Sequence, residues 1–292
     1  LVDLGEELEP AQIETTLQDR LTRELVTAML ETKLDHDDAE RHDHIVKSFD
    51  DQLQNVSHQI ARMGGMAESQ LTSAIDALAR RDSDLASRVV NADTGLDGLE
   101  QQVEEDVVRV LALRQPVAND LREIIAAFKI ASDTERIGDY AVNVAKRVLA
   151  LNQVPPVQPS HAVPRMAKLV QSIVKDTFDA YVERDADKAL DVWHRDAEVD
   201  EMYTSLFREL LTYMMEDPRA ITPCTHLLFI AKNIERIGDH STNIAETIHY
   251  LVTGAYIEGG RPKGDTSSYA VVEPPEGTAG GDSGGEAGSG QS

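Results

Sequence analysis

Apolar residues recur every three or four positions through most of the chain, the spacing of one face of an α-helix. Between about residues 45 and 79 they are Phe49, Leu53, Val56, Ile60, Met63, Ala67, Leu71, Ile75 and Leu78. This run predicts one long helix. A second helix is predicted from the caps Asp82 or Ser83 to about Leu113, and a third begins around Asp120, whose carboxylate suits a capping position. Strand signals are scarce, so the pattern indicates an all-α fold.

The second half of the chain repeats the order of the first. Arg81-Asp82-Ser83-Asp84 corresponds to Arg184-Asp185-Ala186-Asp187 at an offset of 103 residues. The segment Glu135-Arg136-Ile137-Gly138-Asp139 recurs as Glu235-Arg236-Ile237-Gly238-Asp239 at an offset of 100. The change in offset places short deletions in the turns. We therefore predict two tandem, similar three-helix bundles with six core helices, over residues 45–154 and 155–257.

The two ends of the chain differ from this core. An extra amphipathic helix at about residues 10–34 is predicted by the spacing of Ile13, Leu17, Leu21, Leu25 and Ala28. It is followed by a charged linker, so that residues 1–44 form an N-terminal extension. Residues 258–292 are mostly Gly, Ser, Pro and acid, too polar to offset the entropy of ordering. A disordered C-terminal tail is predicted there.

Composition narrows the range of functions. The 52 acidic and 28 basic residues give a net charge of -24, which opposes binding to nucleic acid or to an anionic lipid surface. The single cysteine, Cys224, excludes an intramolecular disulfide and a zinc cage built on cysteines. No run of about 18 apolar residues occurs, and the first thirty residues lack the pattern of a signal peptide. We expect a cytoplasmic protein.

Two pairs of carboxylates recur in each repeat, one on its second helix and one on its third. We call the acids of the first repeat the first acidic face and those of the second repeat the second acidic face. They are Asp93, Asp97, Glu135 and Asp139 in the first, and Asp196, Asp200, Glu235 and Asp239 in the second. The members of each pair are four residues apart and share one helix face. Like charges this close repel unless cations compensate, and oxygen ligands suit Mg, Mn, Fe or Zn. The pattern predicts metal binding, with a solvated acidic surface as the structural alternative.

Helical geometry gives an expectation for where these acids lie. At 100° per residue, the acids Glu135 and Asp139 fall on the side of the third helix opposite its aliphatic stripe. That stripe consists of Ile137, Ala141, Val144 and Val148. The acids are therefore expected to face away from the core and to be accessible to metal and to partners.

The segments ERIGDYAVNVAKR, ARMGGMAESQL, RRDSDLASRVV and ALRQPVANDLR resemble the PhoU family, the phosphate-specific transport system accessory proteins. The resemblance extends from about Ile45 to Tyr256. It implies a fold of two similar three-helix bundles and a negative regulator of the phosphate-starvation response. Such a regulator links the ATPase subunit of the phosphate ABC transporter to a sensor histidine kinase. The resemblance also implies a homodimer that reaches the inner face of the membrane only through its partners.

The resemblance bears on individual residues as well. The E(D)xxxD motifs of the family, which hold multinuclear metal clusters in some members, coincide with the eight acids of the two faces. Asn143 and Asn243 extend these faces, either as ligands or as hydrogen-bond partners of ligands. Asp120 lies in a loop that is a candidate functional element of the family, and helix capping is its structural alternative. The metal stays open among Fe, Zn, Mn and Mg.

Signatures of catalysis are missing from the sequence. There is no Gly-rich phosphate loop with Lys and Ser/Thr, no His-Glu-x-x-His motif and no Gly-x-Ser-x-Gly turn. A Glu-x-x-His pair occurs once, at Glu246 and His249, without an equivalent in the first repeat. We therefore predict no catalytic residues and no enzyme. The alternatives are a metal-dependent enzyme of phosphate or redox chemistry and a structural helical scaffold.

Overall fold

The computed structural model describes residues 39–114, 116, 118–157 and 162–259. In these ranges the chain forms seven α-helices and one short 3-10 helix, and no strand. The helices are α1 (Ala39–Arg80), α2 (Ser83–Asn91), α3 (Thr94–Arg114), α4 (Ala118–Leu151), α5 (Ala162–Glu183), α6 (Ala186–Glu216), the 3-10 helix (Pro218–Ala220) and α7 (Ile221–Thr253). The all-α prediction is confirmed. The predicted N-terminal helix and nearly all of the predicted tail lie outside the described residues.

The helix boundaries differ from prediction in three places. α1 begins at Ala39 and so includes part of the segment assigned to the charged linker. α4 begins at Ala118, which puts Asp120 inside its first turn, where a negative charge favours the helix dipole, and not at the cap. The predicted second helix of the first repeat is interrupted, because α2 ends at Asn91 and α3 begins at Thr94.

The interruption between α2 and α3 follows from local sequence. The aligned stretch of the second repeat lies inside the continuous helix α6. The first repeat has Thr94 and Gly95 where α6 has Ala197 and Glu198. Thr and Gly have lower helix propensities than Ala and Glu, which favours a break at this point. The break leaves Asp93 in a tight turn, where its carbonyl accepts a bond from the Leu96 N–H at 3.0 Å.

The first helix of each repeat ends in the same way. Arg81 and Arg184 have left-handed backbones with φ of 53° and 54°. The N–H of the next residue, Asp82 or Asp185, bonds to the carbonyl five residues earlier at 3.0 Å, as in a Schellman motif. Each aspartate then caps the following helix through its side chain, which confirms Asp82 as the predicted cap. Arginine occupies the position that glycine usually takes, and Arg81 also donates to the carbonyls of Leu151, the last residue of α4, and of Val154 just after it.

The third helices of the two repeats, α4 and α7, pack against each other more extensively than any other pair. Their contacts are Arg122 with Tyr250, Asp133 with His240, Tyr140 with Arg236, and Arg147 with Phe229. As residue numbers rise along α4, the partner numbers fall along α7, so the helices are antiparallel. The two copies of the Glu-Arg-Ile-Gly-Asp segment therefore lie at the middle of this contact.

The repeats also meet where α1 packs against α5. Gly64 lies against the ring of Phe178, and the Tyr181 hydroxyl donates to Ser57 Oγ at 3.3 Å. A single hydrophobic cluster runs through all seven helices. The two repeats therefore share one core, although each retains its own three-helix order.

The close approach of α1 to α5 can be tested at adjacent glycines. A Cβ at Gly64 would lie 2.4 Å from Phe178 Cδ1, whereas a Cβ at the exposed Gly65 would meet no heavy atom within 4 Å. We expect Gly64→Ala to lower the free energy of unfolding by about 1–3 kcal/mol through overpacking. Gly65→Ala should raise it by up to about 1 kcal/mol, because Ala favours the helix over Gly. Urea denaturation measures both, and equal stability of the two variants would contradict the packing.

Candidate functional site

The first acidic face lies at the junction of α3 and α4. Asp93 is in the turn before α3, Asp97 is in the first turn of α3, and Glu135 and Asp139 lie at the middle of α4. The pKa of Asp93 is raised by burial and then by the charges of Asp97 and Asp139. Acids from two helices are thus close enough to repel one another.

Glu135 shows this repulsion most clearly. Its pKa is raised to about 8, first by burial and then by the charges of Asp139 and Glu100, while Arg136 opposes the shift. The Arg136 guanidinium is 3.6 Å from Glu135 and 3.8 Å from Asp139. Its side chain is 40% exposed, so these ion pairs are weak.

Glu100 is a further acid at this face that the sequence pattern did not identify. Its pKa is raised to about 7, mainly by burial and by the charge of Glu104. Glu100 follows Asp97 by three residues, so helical spacing alone places it on the same face. The internal repeat gives no signal for Glu100, because the aligned residue of the second repeat is Tyr203.

The second acidic face lies between α6 and α7 and is more deeply buried. Asp196, Asp200 and Glu235 are each less than 5% exposed. The expectation that the acids face away from the core is therefore wrong for these three residues. The reason is that α6 packs extensively against α7, so these three acids lie in a seam between two helices. The Thr242 hydroxyl donates to Asp196 Oδ1 at 3.1 Å across this seam.

The carboxylate charge of Glu235 is only partly neutralised by neighbouring protein groups in this environment. Lys232 Nζ donates to Glu235 Oε1 at 2.7 Å, whereas the buried Oε2 has no hydrogen-bond partner. Burial raises the pKa of Glu235 to about 7, with the charges of Asp239 and Asp200 adding to the shift and Lys232 opposing it. An unpaired buried carboxylate oxygen is costly, and a cation would relieve this cost.

The donor chemistry of both faces fits a metal cation. Each face supplies carboxylate oxygens from two helices, and Glu235 Oε2 has no protein partner. Within the part of the chain that the structure describes, no three His, Cys, Asp or Glu side chains are placed as a ligand shell. Cation binding would therefore require side chains to rotate toward a common centre.

Two other predicted residues, Asn143 and Asn243, lie on α4 and α7. Asn243 Nδ2 donates to Asp133 Oδ1 of α4 at 3.4 Å, so it belongs to the contact between repeats. Asn143 is half-buried on α4.

Glu246 and His249, the single Glu-x-x-His pair, each contact a different partner outside the acidic faces. Trp193 Nε1 donates to Glu246 Oε1 at 2.8 Å. The His249 Nδ1 atom lies 3.1 Å from the Ala255 carbonyl oxygen.

Across the described ranges, no helix is long and apolar enough to cross a membrane.

The raised pKa of Glu135 predicts a pH dependence of stability in a buffer containing a chelator. The folded state binds this proton more tightly than the unfolded state, so the free energy of unfolding should fall as pH rises from about 5 to 8. Glu135→Gln cannot ionise and should lose less stability, by on the order of 1 kcal/mol at pH 8. Urea denaturation at both pH values measures the difference. The exposed Glu105→Gln is the charge-matched control, and parallel curves for all three proteins would contradict the prediction.

Comparisons with known proteins match both repeats. Residues 60–148 and 163–248 each match the PhoU domain. The chain is 52% identical over 227 residues to a phosphate-specific transport system accessory protein PhoU homolog of Caulobacter vibrioides, covering 77% of this chain and 99% of that protein. A homolog of the same name from Rhizobium meliloti is 50% identical over 228 residues, covering 78% and 96%.

Solved structures agree with the sequence relatives. The crystal structure of PhoU from Pseudomonas aeruginosa has a TM-score of 0.70 at 42% identity, covering 71% of this chain and 100% of that one. The phosphate transport system regulatory protein PhoU from Streptococcus pneumoniae has a TM-score of 0.67 at 30% identity, covering 72% and 99%. The predicted family is confirmed, and the chain belongs to the PhoU family.

Proposed function

We propose that this protein is an accessory protein of phosphate-specific transport that represses the phosphate-starvation response when phosphate is plentiful. The observation that carries the proposal is the match of both repeats to the PhoU domain. Relatives named phosphate-specific transport system accessory proteins align over 99% and 96% of their own lengths. Nearly the whole of each of those proteins therefore has a counterpart in this chain.

The proposed mode of action is that of an adaptor without catalysis. It couples the ATPase subunit of a phosphate ABC transporter to a phosphate-sensing histidine kinase, as a cytoplasmic homodimer that reaches the membrane through these partners. Two features support an adaptor. The shared core makes both repeats one scaffold. Large apolar side chains such as Val108, Leu113 and Phe229 are exposed on its helices and offer contact surface.

We also propose that the two acidic faces bind metal cations. The support is the burial and the mutual repulsion that raise the pKa values of Glu135 and Glu100, together with the unpartnered Glu235 Oε2. A bound cation would neutralise the carboxylates and present positive charge to phosphate or to an anionic group of a partner. The chain contributes the carboxylate ligands and the buried seams that keep water from screening them.

Negative regulation can be tested by deleting the gene in a strain that carries a phosphate-regulated reporter. In phosphate-rich medium we expect the reporter to be expressed constitutively, because the kinase no longer receives the repressing signal. A plasmid copy of the intact gene should restore repression. Repression that persists in the deletion strain would count against the proposal.

Metal binding can be tested by elemental analysis of purified protein. We expect Fe, Zn, Mn or Mg in the wild type and a lower content in Glu135→Ala/Asp139→Ala and in Glu235→Ala/Asp239→Ala. The control is Glu105→Ala/Glu209→Ala, which removes two exposed acids and the same charge. Equally negligible metal in all four proteins would reject metal binding. Turnover of a phosphate or redox substrate that requires Glu135 and Asp139 would instead support the enzyme alternative.

A further inference from the structure

The contact between α4 and α7 carries a row of side chains that we call the inter-repeat row. Its members on α7 are exposed or half-buried and are spaced seven residues apart: Phe229, Arg236, Asn243 and Tyr250. Their contacts on α4 are, in the same order, Arg147, Tyr140, Asp133 and Arg122. Residues seven apart differ by only about 20° around a helix, so the row follows one side of α7.

The chain leaves α7 beside one end of this row. Gly254 ends the helix with a left-handed φ of 76°. The ring of Tyr256 then stacks on that of Tyr250, with the two ring centres 4.5 Å apart. The Arg122 guanidinium of α4 lies 5.4 Å from the centre of the Tyr250 ring. The residues that follow Tyr256 therefore begin next to the inter-repeat row.

The other end of the row combines a cation with exposed apolar side chains. The Arg147 guanidinium lies 4.2 Å from the centre of the Phe229 ring. Phe229 is 46% exposed and Ile221 is 49% exposed. Ile221 precedes Phe229 by eight residues, so both lie on the same side of α7. We call Arg147, Phe229 and Ile221 the apolar end of the row.

Carboxylates are missing from the two chain segments that form the apolar end. Residues 140–157 and 218–234 contain no Asp or Glu, in a chain with 52 acidic residues. Glu216 and Asp217 precede the second segment, and the Asp217 side chain accepts a bond from the Arg219 N–H at 2.9 Å. A guanidinium stacked on a ring can still bind a carboxylate through the N–H groups at its edge. The apolar end therefore favours a segment that is both apolar and acidic.

The C-terminal part of the chain contains a segment of this composition. Residues 265–276 read DTSSYAVVEPPE. The run from Tyr269 to Val272 is apolar, with Asp265 before it and Glu273 and Glu276 after it. From residue 264 onward the sequence has no Lys or Arg. The segment thus pairs apolar side chains with uncompensated negative charge, as the apolar end pairs them with a cation.

The segment can reach the apolar end of its own chain. Phe229 lies about 36 Å from the end of α7, at 1.5 Å per residue. From Tyr256 to Tyr269 the chain spans up to about 43 Å when extended. A short tether gives a local concentration in the millimolar range, so even a weak contact is populated.

We propose that residues 265–276 fold back along the inter-repeat row and cover Phe229 and Ile221, with a carboxylate of the segment bound to the Arg147 guanidinium. The segment then occupies a surface that suits an acidic, apolar segment of another protein. Such a partner must displace it before binding. The proposal is independent of metal binding at the acidic faces.

A distance measurement between two spin labels in the full-length protein tests this docking. The labels are attached at Ser268→Cys in the segment and at Gln153→Cys, an exposed position just after α4. Cys224 is buried and so escapes labelling in the folded protein. Double electron–electron resonance should show a narrow, short distance, because the docked segment holds its label near Arg147. One broad distribution of distances would overturn the proposal.

Variants of the apolar end test the site itself. Arg147→Glu/Phe229→Ser should lose the narrow distance, because both the cation and the apolar contact are removed. The control Lys168→Glu/Val182→Ser makes the same kinds of exchange at exposed positions of α5 and should keep it. Thermal unfolding verifies that both variants fold. A narrow distance that persists without Arg147 and Phe229 would overturn the assigned site.

Charge reversal tests the ion pair. Arg147→Glu alone should lose the narrow distance, and adding Asp265→Arg/Glu273→Arg/Glu276→Arg should restore it. Failure to restore it would overturn the contact between Arg147 and the carboxylates. A narrow distance that disappears when labelled protein is diluted with excess unlabelled protein would place the segment on a second copy, and would overturn docking within one chain.

Discussion

The central constraint on this structure is the packing of α4 against α7, since these two helices also contact most of the others. α4 contacts α1, α2, α3 and α7, and α7 contacts α4, α5 and α6. A helix with neighbours on so many sides has little surface left for charged residues. The acids of the repeated segment are therefore drawn into seams between helices. The same close packing requires a glycine at position 138, because a Cβ on Gly138 would lie 2.3 Å from Leu96 Cδ2.

This packing gives the carboxylates an unusual electrostatic environment. Burial and mutual repulsion raise the pKa values of Glu135 and Glu235 to about 8 and about 7. Both groups oppose folding when they ionise without compensation. Any cation that binds the folded seams and not the unfolded chain would stabilise the fold. The proposed metal binding would thus link the stability of these seams to cation supply.

The duplicated architecture also permits the two repeats to diverge. α4 and α7 retain the same five-residue segment, yet their surroundings differ at Gln70, Glu100 and Lys232. Each of these residues lies beside one of the acidic seams between helices and outside the duplicated segment itself. An internal repeat can keep its framework while its two sites acquire different neighbours. This is the basis for treating the acidic faces as two distinct sites.

The sequence by itself determined the helical class, the internal repeat, the cap at Asp82 and the pairing of acids on single helices. These features depend on interactions within about one helical turn, which spacing and residue type report directly. The break before Thr94 is local too, since Thr94 and Gly95 have low helix propensities. The burial of Asp196, Asp200 and Glu235 and the isolation of the Gln70 carboxamide were decided by tertiary structure alone. Helical periodicity identifies the apolar arc of one helix, but only the neighbouring helices determine whether the opposite arc is covered.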